Sequence, residues 1–137
     1  MSRWGEVLYP EAFKGGYIRT HWNYEDDLKN ILERSGKKDD FTGKYKMRLK
    51  FLEERRENCV QKKDWFEVLK YGNKLYAIKI KDDKNIRILF SFVEYKGIKY
   101  AILLHAFEEK TGKRKSPTSY DTAIRVAQQR LKEVIEW

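Results

Sequence analysis

From Leu75 onward the hydrophobic pattern takes a period of two, sustained through three successive segments, LYAIKIK, IRILFSF and IKYAILLHAF. That is the period of an extended chain, whose side chains alternate between faces. Tyr76, Ile78 and Ile80 point one way, Lys79 and Lys81 the other. After the turn Asp82-Asp83-Lys84-Asn85, Ile86, Ile88, Phe90 and Phe92 form an apolar set with Arg87 opposite. A second turn around Tyr95-Lys96-Gly97 leads into Ile98, Tyr100, Ile102, Leu104 and Ala106, with His105 and Phe107 on the other side. Three antiparallel strands in a meander are expected.

Register follows from parity. Cross-strand neighbours share a face, so the apolar sets must oppose one another. Two hairpin loop lengths are open, placing Arg87 opposite Lys81 or Lys79. The same rule places His105 opposite Arg87 or Asn85. Either way Lys79, Lys81, Arg87 and His105 share one face, together with Leu89, Leu103 and Phe107. That face is either partly covered by a helix or offers apolar surface for stacking.

Like charges on neighbouring strands cost some tenths of a kcal/mol per pair, so a cluster of about this kind points to an anion. Arg87 can hold a phosphate through two parallel hydrogen bonds, or it can form a structural salt bridge. Lys79 and Lys81 neutralise phosphates and serve in proton transfer, or they line a solvated face. His105 is a proton-transfer residue or a satisfied core histidine. Lys110, Lys113, Arg114 and Lys115 form a basic loop suited to tracking phosphates, or simply to solvation. Tyr120 stacks on a base, donates a hydrogen bond, or packs in the core.

The rest of the chain supplies the other layers. Residues 1–15 carry Trp4, Tyr9, Pro10 and Phe13 and read as an extension that packs through its aromatics. Tyr17–Asn23 alternates Ile18, Thr20 and Trp22 against Tyr17, Arg19 and His21, as a strand would. Leu28, Ile31 and Leu32 recur at helical spacing behind the acidic Glu25, Asp26 and Asp27, and Ser35-Gly36 ends that helix. Lys37–Gly43 reads as a loop. Tyr45, Leu49, Leu52, Arg56 and Cys59 lie on one stripe of a longer second helix. Ser116-Pro117 starts a last helix with the stripe Ile124, Ala127, Leu131 and Val134.

The 137 residues suit one domain, with a formal net charge of +9 that favours polyanions such as RNA, DNA, an acidic protein or an anionic membrane. Cys59 is the sole cysteine and is expected to be a small buried residue. With no CxxC pair and only His21 and His105, far apart, no metal site is expected. No apolar run resembles a signal peptide or a membrane span, so a reducing cytoplasm is expected. P-loop, GxSxG, HExxH and paired-carboxylate motifs are all missing.

The strand–helix–helix–three-strand–helix order, with KLYAIKIKDDKNIRILFSF, YAILLHAFEEKTGK and SPTSYDTAIRVAQQRL, resembles the RelE/HigB family of type II toxin–antitoxin toxins, in its phage-derived HigB-like branch. The resemblance runs from about Gly16 to Trp137, making residues 16–137 the toxin domain. It implies an α+β fold with an antiparallel-rich sheet and a ribosome-dependent endoribonuclease that cuts mRNA without metal or other cofactor. The 2′-hydroxyl would attack the adjacent phosphate, leaving a cyclic phosphate and a 5′-hydroxyl. Lys79, Lys81 and Arg87 match basic strand positions of the family, Arg87 the one contacting the scissile phosphate. His105 falls in the LLHAF-type segment, Lys110 in the basic patch after it, and Tyr120 matches an aromatic that stacks on the substrate base in some relatives. The implied partners are mRNA on the ribosome and a cognate helix-turn-helix antitoxin. Glu108-Glu109 stand where relatives place basic residues, Ala77 replaces a common acidic one, and the loop to Pro117 is slightly longer. A non-catalytic relative acting on a protein such as gyrase, and a plain RNA-binding domain, are the alternatives.

Overall fold

The computed structural model describes residues 4–10, 13, 15–35, 38–69, 74–81, 85–109 and 117–136. Among the described residues the fold is α+β, with six strands in one mostly antiparallel sheet and three α-helices. The strands are β1 (Gly5–Glu6), β2 (Ile18–Thr20), β3 (Phe66–Val68), β4 (Tyr76–Lys81), β5 (Asn85–Tyr95) and β6 (Ile98–Glu109). Their spatial order is β1-β2-β6-β5-β4-β3; β2 and β6 run parallel, and the other neighbouring pairs are antiparallel. The helices are α1 (Tyr24–Ser35), α2 (Lys38–Arg55) and α3 (Pro117–Glu136), with a 3-10 helix at Arg56–Gln61.

The sheet buries both faces. Against α1 and α2 lie Ile18, Ile78, Ile80, Ile86, Ile88, Phe90, Leu103 and Ala106, packed on Leu28, Ile31, Tyr45, Leu49 and Leu52. On the other face Ala77, Leu89, Ile102 and Leu104 meet Ala123, Ala127 and Val134 of α3. Trp4 joins this second core, donating its indole N–H to the Val134 carbonyl at 3.2 Å, and Phe13 joins the first. The expected aromatic extension therefore packs, and it also supplies β1, which the alternation did not reveal. No helix among the described residues is long and apolar enough to cross a membrane.

Several expected boundaries shift. The strand expected over Tyr17–Asn23 stops at Thr20, because the chain turns there into α1. The alternation fails at that turn: Trp22 is 45% exposed and His21 is 1% exposed. The loop expected over Lys37–Gly43 is helical from Lys38, since buried Phe41 extends the Tyr45–Leu49–Leu52 stripe by one turn. α2 does not continue to Cys59 but ends at Arg55, where Arg56 adopts a φ of +51° and the chain tightens into the 3-10 turn. Cys59 is buried nonetheless, and burial pushes its thiol up to about 12. The turn expected at Lys96-Gly97 is a two-residue hairpin with both residues at positive φ (+52° and +79°), the conformation that matches strand twist.

The largest correction concerns β6. Arg87 does lie opposite Lys79, one of the two expected registers. His105, however, lies opposite Leu89, not Arg87 or Asn85, and Phe107 lies opposite Arg87. A β-bulge is the cause: Leu89 pairs with His105 and Phe90 with Leu103, leaving Leu104 as an extra residue. The extra residue reverses parity. Leu103 thus packs toward α1 and α2, not on the basic face, while Ile102 and Leu104 separate from Ala106 onto the α3 side.

Candidate functional site

Two polar groupings flank the bulge. The first is built on β4 and β5, where Lys79 sits directly across from Arg87 and Lys81 across from Asn85. Phe107 is the next cross-strand neighbour of Arg87, and its ring meets Tyr120, from the first turns of α3, edge-on at 5.2 Å. The Arg87 side chain is 12% exposed; its Nε donates to Glu109 at 2.8 Å, and its Nη1 is buried with no hydrogen bond among the described residues. Tyr120 donates its hydroxyl to Glu67 of β3 at 3.0 Å. Burial, reinforced by the nearby Glu67 carboxylate, pushes the Tyr120 phenol well above its ordinary range. Tyr120 is therefore a hydrogen-bond donor, not a proton acceptor.

More positive charge stands behind this face. β3 covers β4 only as far as Ile78, so the carbonyls beyond lie on an open strand edge. Arg48 donates to the Lys79 carbonyl at 2.8 Å and Lys44 to the Lys81 carbonyl at 2.7 Å. Two basic residues of α2 thus protect the edge while adding charge beside Lys79 and Lys81.

The second grouping arises where the parallel strand β2 runs out. Thr20 pairs with Leu103, and past that point no described strand pairs with β6 on its outer side. α1 and α3 close over the gap. Arg130 of α3 donates through Nη1 to the Leu104 carbonyl at 2.8 Å, satisfying a group that the bulge leaves outside the ladder. The same nitrogen bonds Asp27 of α1. Asp27 Oδ2 also lies 2.7 Å from Nδ1 of His105, which the bulge aims toward α1. Burial alone would raise the Asp27 pKa, but the bonds from His105 and Arg130 outweigh it and hold the carboxyl below its usual range. One helical turn farther along α3, Glu133 bonds buried His21 at 2.8 Å, and His21 Nδ1 accepts the Asn23 N–H at the start of α1. Burial lowers the His21 pKa despite that carboxylate.

Of the expected site residues, Lys79, Arg87 and Tyr120 come together around Phe107, with Lys81 at the exposed end of β4. His105 shares their face but is tied to Asp27. Lys110, Lys113, Arg114 and Lys115 lie outside the described residues. The sequence reading missed Asp27, Arg130, Lys44 and Arg48, because helix spacing says nothing about which strand a helix residue will reach. No family model, curated protein or solved structure matches the chain.

Proposed function

We propose that the chain is a cytoplasmic ribonuclease toxin of the RelE/HigB kind, cutting mRNA on the ribosome. The observation that carries this reading is the direct Lys79–Arg87 pairing on a face that also presents Phe107 and Tyr120. Two cations in register attract a phosphodiester, and adjacent rings offer its bases a stacking surface. The order β2, α1, α2, then the antiparallel β4–β5–β6 meander and α3, in a mostly antiparallel sheet, supports this reading.

In this reading the 2′-oxygen attacks the adjacent phosphorus and the phosphorus–O5′ bond breaks. Arg87 and Lys79 stabilise the extra negative charge of the pentavalent transition state because they are already in place when it forms. Tyr120 donates a hydrogen bond or stacks on a base. Glu109 occupies Arg87 in the free protein and must yield to the phosphate. A helix-turn-helix antitoxin would mask the basic face.

Induced expression should arrest growth, with mRNA cuts that map to translated codons. A folded Arg87→Ala variant should do neither, and toxicity unchanged in that variant would remove Arg87 from the mechanism. The engagement of Arg87 by Glu109 favours one second reading, a non-catalytic relative acting on a protein such as gyrase. Growth arrest with DNA-damage signalling and intact mRNA would select it.

A further inference from the structure

We infer that Asp27 and Arg130 are positioning residues that hold His105 with its proton on Nδ1, leaving Nε2 to accept the 2′-hydroxyl proton of RNA bound at Arg87. The inference rests on the function proposed above.

The geometry supplies each part. A carboxylate only accepts hydrogen bonds, so the 2.7 Å contact with Asp27 places a proton on His105 Nδ1. Nε2 then carries the ring's lone pair, and no hydrogen bond engages it among the described residues. Arg130 holds Asp27 in place through Nη1, which also grips the Leu104 carbonyl at the bulge. The carboxylate is thereby tied to the strand it orients. An ion pair between α1 and α3 needs Asp27 and Arg130 alone; the histidine bonded to Asp27 is a titratable group that such a link does not require.

His105 also stands where a base is needed. Its ring lies parallel to that of Phe107, at 10° and 6.1 Å between centroids, and Phe107 is directly opposite Arg87. Diagonal neighbours of this type are about 7–8 Å apart. Residues at that spacing on one face can reach a single dinucleotide, its 2′-oxygen at Nε2 and its adjacent phosphate at Arg87.

The step balances. Nε2 takes the 2′-proton, the 2′-oxygen bonds phosphorus, and the phosphorus–O5′ bond breaks. The departing oxygen takes a proton from the Lys79 ammonium, and solvent returns the proton from His105 to Lys79. The imidazolium formed is balanced by Asp27, as in other carboxylate–histidine pairs. The charged groups around His105 are Asp27 on α1 and Arg130 on α3, with Glu133 and His21 next in the network.

The test compares the full chain with Asp27→Asn, Asp27→Glu and His105→Gln. Cleavage of ribosome-bound mRNA is followed against pH, with nitrogen NMR of the His105 ring. Asp27→Asn should lower kcat by about a hundredfold or more, leave KM within about twofold, and displace the acid limb of the pH profile. Asp27→Glu should restore part of the rate. In the wild type the ring should be protonated at Nδ1, and in Asp27→Asn the proton should redistribute to Nε2. An Asp27→Asn protein that cuts with the wild-type pH profile overturns the inference and leaves the proposed function standing. A wild-type chain that cuts no RNA overturns both. A ring tautomer indifferent to residue 27 overturns the positioning role whatever the activity.

Discussion

Glu109 grips Arg87: its carboxylate accepts the Arg87 Nε–H at 2.8 Å across β5 and β6, while on the other side of β5 Arg87 faces Lys79 of β4. The free protein thus holds an acidic group where a phosphate would bind. In the proposed function, RNA binding at this site exchanges one anion for another.

Glu109→Gln removes the competing charge and keeps an acceptor oxygen. Single-stranded RNA should bind about tenfold tighter, equivalent to ~1.4 kcal/mol. Fluorescence anisotropy measures it, and unchanged affinity would show that RNA does not reach Arg87.

Lys79→Gln relieves a cross-strand like-charge pair. Stability should rise by a few tenths of a kcal/mol, read from urea midpoints at constant slope. RNA affinity should fall, and the salt dependence of log K should flatten by about 0.7. A variant less stable than the wild type would mean that Lys79 has a structural partner.

Phe107→Ala probes stacking. Half-buried Phe107 lies between the His105 and Tyr120 rings. Its loss should cost about 1–3 kcal/mol of RNA affinity and leave the salt slope unchanged. An altered slope with unchanged affinity at low salt would contradict a stacking role.

Acid should destabilise the fold in two stages. His21 has a lowered pKa when folded, so its contribution is complete above its unfolded value near 6.5 and declines as pH falls through the folded value. Asp27 is also depressed, so its contribution is complete above about 3.9 and declines as pH falls further. Urea midpoints against pH should show both declines. His21→Gln should erase the upper stage and Asp27→Asn the lower.

The alternation from Leu75 to Phe107 was enough to place three strands, and parity was enough to put Lys79 and Arg87 on one face. Both follow from local geometry, since neighbouring strands can bury their apolar sets only in matched registers. The stripes of α1 and α3 were equally legible, because 3.6-residue spacing is a property of each segment alone. β1 and β3 were not: neither lies in a longer alternating run of the kind that revealed β2, and both pair at the outer sides of the sheet.

The placement of His105 belonged wholly to the tertiary structure. A bulge is one residue of mismatch between two strands, and neither strand's own pattern records it. That extra residue moved His105 from opposite Arg87 to opposite Leu89 and exposed the Leu104 carbonyl that Arg130 satisfies. It also aimed the ring at Asp27, 78 residues earlier in the chain. The basic pair at Lys79 and Arg87 could be read along the chain because both partners flank one hairpin. The His105–Asp27–Arg130 cluster could not, because it forms only where β2 ends and two helices close over the gap.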